Sequence, residues 1–390
     1  MAINKSTFLL IEPLLSTQSF PYWMLGFVLV AFATPALATP GAPDTCGEWS
    51  THTVPAPAAY PDLPILHVLD IDTDGETAWF LGYATDAQGS ASGYFAASWN
   101  GESWQEESLP VIDEMTLVEM ELAAGHVWLT GWVGSLTYTS RPLVIRRQLD
   151  GGEWQQDIFT GPHTEGDGAL NIKVFSTTDY WLIGRGGRLM HWNGLGLTGE
   201  FLYGTMIDLD GLSSNDLWAV GYVSNSSQAH HYDGESWTPV SIPDQPYEPS
   251  RLYNVLMRAT DDVWMFGHTY GAADINYSFG KHWNGSEIVN GGGLGTVADH
   301  FGPDSMVSAG AYLFGPGYWD PGQQQWRSWR LPQGLNGTGA PLSAFGACRL
   351  WMVSHGDGTS DELFLLTPAG IFWDDFEIGD LSAWSSAVGN

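Results

Sequence analysis

The segment NDLWAVGYVSNSSQAHHYDGESW, residues 215–237, limits the possible folds more than any other, because weaker copies of it run along the chain. Its apolar-Trp-apolar-x-Gly core recurs as TAWFLG at Trp79, HVWLTG at Trp128, DYWLIG at Trp181, DLWAVG at Trp218 and DVWMFG at Trp264, then as RLWMVS at Trp351. The spacings are 49, 53, 37 and 46 residues, followed by 87, about twice the others. The stretch DSMVSAG around Val307, a copy without its Trp, divides that gap into 43 and 44. Seven units result.

Each core is followed by a second signal, such as SWNGESW, HYDGESW or HWNGSEI. An aromatic, then Asn-Gly or Asp-Gly, then a strand-like run predicts a hairpin, because those turn residues tolerate positive φ. Ahead of each core lies another apolar run that ends in a short polar turn, TTD, SND or TDD. Four strands per unit, a to d, follow from this, and helical periodicity is nearly absent. Units of this size repeated seven times predict an all-β, seven-bladed β-propeller over residues 39–373, since each small sheet buries its faces only against its neighbours. The recurring Trp belongs in the layers between blades.

The two ends predict how the ring closes. CGEWSTHTVPAP resembles a fourth strand with no unit before it, and the last unit lacks one, so the N-terminal strand is expected to complete the last blade. Cys46 and Cys348, the two cysteines of the chain, then fall in one blade. Outside the cytoplasm such a pair is expected as a disulfide.

Residues 1–38 read as a signal peptide cleaved after Ala38, from an apolar run at Met24–Ala33 that ends in an A-x-A pattern. The mature chain is therefore expected outside the cell or on its surface, soluble and monomeric. With 13 Lys and Arg against 44 Asp and Glu, the net charge is −31. Such a surface repels phosphate backbones and anionic lipid heads, which argues against nucleic-acid and membrane-surface partners.

At this point the chain resembles bacterial secreted β-propellers with D-x-W-A-V-G and H-W-D-G-x-x-W repeats, related in appearance to kelch and WD-like blades. The resemblance covers about Cys46 to Trp373, and it implies fold and export but no common activity. Residues 374–390 resemble an F-E-x-G-D-x-S-x-W tail found on exported bacterial proteins, carried here by Phe376, Glu377, Gly379, Asp380, Ser382 and Trp384. That resemblance implies a sorting or surface-retention segment.

Candidate chemistry is sparse. Asp70, Asp72 and Asp74 open a D-x-D-x-D-G pattern that in calcium loops converges on one cation, but the bidentate Glu is missing and the segment occupies an a–b turn. A plain turn is the favoured reading, with calcium the one cofactor the sequence suggests. His191, His231 and His282 recur at one place in three units and read as separate structural pillars. In a propeller the a–b and c–d turns share one face, and the longer b–c loops share the other. Those loops supply the candidate ligand-binding residues Tyr138, Tyr270, Asp274, Tyr277, His355, Asp357 and Asp361. Aromatic rings for stacking and carboxylates for hydroxyls point to a non-enzymatic binding module for a glycan or an extracellular protein, with no catalytic residue assigned. The alternative is a carbohydrate-active hydrolase or lyase using paired carboxylates on the same face.

Overall fold

A computed structural model gives the fold. It describes residues 46–368 except 76, 90–91, 136–139, 162–166, 225, 244–248, 271–275, 293–296, 301–305, 310–316, 321, 329–341, 345–348 and 355–359. The chain separates into two units, 1–39 and 40–390, and every described residue lies in the second.

The described residues form seven four-stranded antiparallel sheets. The inner strands, Ile65–Thr73, Met115–Ala123, Asn171–Ser176, Thr205–Ser213, Ser250–Ala259, Val297–His300 and Leu342–Ala344, each touch the next, and the seventh touches the first. The ring is thus a closed β-propeller. Sheets one to six follow chain order from inner to outer strand. In the seventh, Cys46–Thr53 forms the outer strand, paired with Glu362–Pro368, as the two chain ends predict. No described helix is long and apolar enough to cross a membrane.

The recurring Trp acts as expected. Trp79, Trp128, Trp181, Trp218, Trp264 and Trp351 are buried in the layers between sheets, where each contributes about 2–3 kcal/mol by burial. The glycine that closes each core has a separate cause. A Cβ at Gly82, Gly131, Gly221 or Gly267 would strike the carbonyl oxygen of His67, Thr116, Thr205 or Arg251 on the inner strand. A bulge in that inner strand lies opposite, at Val68/Asp70, Leu117/Glu119, Met206/Asp208 and Leu252/Asn254. The bulge re-aims the polar residue that follows it, with consequences for the ring axis.

Cys46 is disulfide-bonded, and no described cysteine is free. Its expected partner Cys348 lies outside the described residues. Under denaturing, non-reducing conditions an alkylating reagent is expected to label neither cysteine; labelling of both by mass would refute a Cys46–Cys348 bond.

Candidate functional site

Of the seven loop-face candidates, only three fall among the described residues. Tyr138, Asp274, His355 and Asp357 lie outside the described residues. Tyr270 and Tyr277 lie on adjacent strands, Asp262–Tyr270 and Asn276–Trp283, where Thr269 opposes Tyr277 and Tyr270 opposes Asn276. Asp361 is only 2% exposed. Its carboxylate accepts the Val68 N–H at 2.8 Å and stands 3.6 Å from His67 Nδ1, while its own N–H donates to the Leu66 carbonyl. Asp361 therefore clasps the seventh sheet to the first. Asp361→Ala strands a buried N–H and is expected to cost about 1–3 kcal/mol, read as a lower Tm, whereas Asp361→Asn retains an acceptor and most of the stability. On the same face two ring stacks, His67 on Tyr83 and Tyr253 on His268, both at 4.7 Å, were not anticipated from sequence.

The carboxylates of Asp70, Asp72 and Asp74 are each engaged by main-chain N–H groups. Asp70 accepts the N–H groups of Ile71 and Met120, both at 2.8 Å, and Asp72 those of Thr73 and Leu122, both at 2.7 Å. Asp74 accepts the Thr77 N–H at 2.8 Å and so closes the a–b turn. Among the described residues no group of three His, Cys, Asp or Glu side chains is arranged to hold a metal ion.

Asp70 and Asp72 belong instead to a belt around the ring axis that ties each inner strand to the next. Glu121 accepts the Val174 N–H at 2.8 Å, and Asp208 and Asp210 accept those of Val255 and Met257 at 2.8 and 2.6 Å. Asn254 takes the Ala298 N–H at 3.1 Å, Asp299 that of Ala344 at 2.7 Å, and Ser343 that of Thr73 at 3.2 Å. Between the third and fourth sheets the tie is reversed. Asn171 donates to Asp208 at 3.0 Å and Lys173 meets Asp210 at 2.8 Å and Glu121 at 3.5 Å.

This crowding sets the protonation of the belt, whose carboxyls border the axis yet are ringed by protein atoms. Burial, reinforced by Asp72 and opposed by the Met120 N–H, pushes Asp70 up to about 8. Burial raises Glu121 to about 7 against the pull of Lys173, and Asp208 to about 7 against that of the Val255 N–H. Glu119 is pushed well above its ordinary value by burial and by Asp70 and Asp208. Burial raises Asp72 as well. Sequence reasoning passed over this belt by reading the inner strands as apolar. The signal was an acid, Lys or Ser seven or eight residues before most of the cores, as in Asp72, Glu121, Lys173 and Asp210.

The three histidines are separate pillars, as expected. His191, His231 and His282 bond Asp179, Asp216 and Asp262 at 2.8 Å and stack on Trp181, Trp218 and Trp264 at 4.4, 4.9 and 4.3 Å.

A cleft of about 820 Å³ lies between the fifth and sixth sheets, on the face of the a–b and c–d turns. Its aromatic lining is Trp264, Trp319 and Trp326, and its rim carries the exposed Asp261, Asn290, Gln324 and Gln325. Asp262 is engaged inside it, accepting from Trp264 Nε1 at 2.7 Å and from His282, with Arg258 at 3.4 Å. The sequence placed binding on the opposite face, because loop length and variability do not reveal a gap between two sheets.

No family model matches the chain. No curated protein matches it either. Among solved structures it is similar to YCF48 from Cyanidioschyzon merolae, at 13% identity and a TM-score of 0.52 over 83% of this chain and 99% of that one. It is similar to YCF48 bound to D1 peptide, at 14% identity and a TM-score of 0.52 over 82% and 96%. It is also similar to the WD40 β-propeller domain of Doa1, at 10% identity and a TM-score of 0.54 over 82% and 95%. At these identities the likeness is one of fold, and the fold is the β-propeller.

Proposed function

We propose that this chain is an exported, seven-bladed binding propeller that recognises a glycan or a protein segment without transforming it. The observation that carries this reading is the cleft between the fifth and sixth sheets, where three tryptophans meet exposed carboxylate and amide groups in one concavity. Rigid rings with a polar rim are what binding sites use to combine burial with orientation. YCF48, a propeller of similar fold, has been solved with a bound peptide, which supports a binding role for this scaffold. A hydrolase or lyase requires carboxyls available to a substrate. Asp70, Asp72, Glu121, Asp208 and Asp210 each accept a main-chain N–H, which favours binding over chemistry. A Cys46–Cys348 bond and the C-terminal 374–390 segment fit a chain that works outside the cytoplasm.

The test incubates the purified protein with immobilised polysaccharides and with a peptide array, with and without calcium, and scores retention together with new reducing or unsaturated ends. Retention without new ends is the expected outcome. New ends would replace this reading with that of a carbohydrate-active enzyme.

A further inference from the structure

The seven junctions between sheets can be compared with one another, and two are built from the same three rings. Where the seventh sheet meets the first, Trp351, Trp99 and Trp104 stand with centroids 4.9 to 5.5 Å apart. Where the fifth meets the sixth, Trp264, Trp319 and Trp326 take the same strand positions, and their spacings are 4.8, 5.8 and 6.1 Å. The junctions differ on the outer strand. At the first, His52 packs edge-on to Trp99 at 4.7 Å and Val54 is buried below it.

Hairpin register gives the equivalent residues at the other junctions. Ala229 opposes Val240 in the fourth sheet and Leu363 opposes His52 in the seventh, while the Gly291 N–H donates to the Gly280 carbonyl in the fifth. Gly291 therefore stands where His52 stands. Two residues on, Val54, Leu109, Phe159, Leu202 and Ile242 all pack into the adjoining junction. The fifth sheet has Gly293 at that place in sequence, outside the described residues. Gly291 and Gly292 carry no side chain where the sister junction has His52, and the rings close onto their backbone instead: a Cβ at Gly291 would meet Trp264 at 2.7 Å and one at Gly292 would meet Trp326 at 3.1 Å, and the cleft opens beside these rings.

The lining chemistry narrows the occupant. Among the described lining residues there is no aliphatic side chain; the walls are indole, imidazole, carboxylate, amide, guanidinium and glycine backbone. An apolar peptide anchor would meet few aliphatic partners there, whereas a pyranose presents a C–H face to a ring and hydroxyls to amides and carboxylates. The exposed Asp261 on the rim and a net charge of −31 repel uronic-acid and sulfated sugars.

Resting on the binding reading above, we infer that the cleft between the fifth and sixth sheets is a subsite for uncharged pyranose units, stacked on Trp319 and Trp326 and hydrogen-bonded by Asp261, Gln324 and Gln325.

The test uses the full chain in affinity electrophoresis and titration calorimetry with neutral β-glucans and mannans, with alginate and polygalacturonate, and with an arginine-rich peptide. Asp261→Ala and the double change Gln324→Ala, Gln325→Ala fall at exposed positions in or beside turns and leave the three rings in place. Trp326→Ala removes a stacking face, with its Tm read alongside. The expected result is retention by a neutral polymer only, weakened about tenfold by each rim variant at unchanged Tm and more by Trp326→Ala. Neutral-polymer binding untouched by the rim variants would move the site elsewhere and overturn this inference while sparing the binding module. Preference for an acidic polymer or for the arginine-rich peptide would overturn the sugar class. No retention of any probe here or on the peptide array would overturn the binding reading itself.

Discussion

Lys173→Met is expected to lower Tm by about 5–10 °C. Lys173 meets Asp210 at 2.8 Å and Glu121 at 3.5 Å from an inner strand flanked on both sides by acidic strands. Its own charge is held firmly, because Asp210 and Glu121 more than offset the cost of burying it. Methionine keeps the length of the side chain and removes the charge. Two largely buried carboxyls then lose their shared cation beside Asp72 and Asp208, and breaking a buried pair from one side costs about 3–5 kcal/mol. In a domain of this size that corresponds to the expected shift. Adding Glu121→Gln and Asp210→Asn to Lys173→Met is expected to restore much of the loss, since amides still accept the Val174 and Met257 N–H groups without repelling one another. Thermal unfolding of the parent, the single and the triple variant measures this directly. A Lys173→Met protein as stable as the parent would mean that the belt does not depend on its cation.

The second large effect is on pH. Asp70, Glu121 and Asp208 titrate at about 8, 7 and 7 in the folded ring, against about 4 in the unfolded chain. Folding therefore takes up protons between those limits. Stability from these groups is fully present below about pH 4 and is lost as pH rises through about 7 to 8. Each carboxyl moved from about 4 to about 7 contributes at most about 4 kcal/mol, and water along the axis reduces this. Three histidines act in the opposite sense. Burial lowers His52, His230 and His268, so their contribution falls away as pH drops below about 6.5. Together these place the maximum Tm between about pH 5 and 6.5, with a fall of about 5–10 °C by pH 8.5. A flat or rising Tm over pH 6–8.5 would mean that the belt carboxyls are ionised in the folded state. The double change Asp70→Asn, Asp208→Asn is expected to flatten the alkaline limb.

What was legible in the sequence was local. The Trp cores, the Asn-Gly and Asp-Gly hairpins and the polar a–b turns lie within single units, so repetition exposes them. The closure by Cys46–Thr53 was legible because a missing fourth strand at one end matched a surplus strand at the other. The belt was hidden by alternation: Asp70 and Asp72 sit in the run ILHVLDIDT, whose Val68 and Ile71 are buried, and the same residues imitate a cation loop. Asp361 looked like a loop ligand because nothing local shows that it reaches across to Val68, 293 residues away. The cleft was hidden for a related reason. It lies where Gly291 backs onto Trp264 and Gly292 onto Trp326 of the following sheet, and only register shows that these glycines stand where other sheets carry side chains.

The closure of the ring also bears on when the protein can fold. The strand that completes the seventh sheet, Cys46–Thr53, is made before the first sheet, and its partner Glu362–Pro368 is made after the sixth. Early in synthesis the outer strand has unpaired edges on both sides and no sheet to join, and the first sheet lacks its neighbour on that flank. Closing a loop of this length is slow and comes after the local hairpins have formed. A growing chain therefore resembles an open, one-dimensional stack whose ends remain sticky until the last forty or so residues arrive, and a factor that shields strand edges would act in that interval.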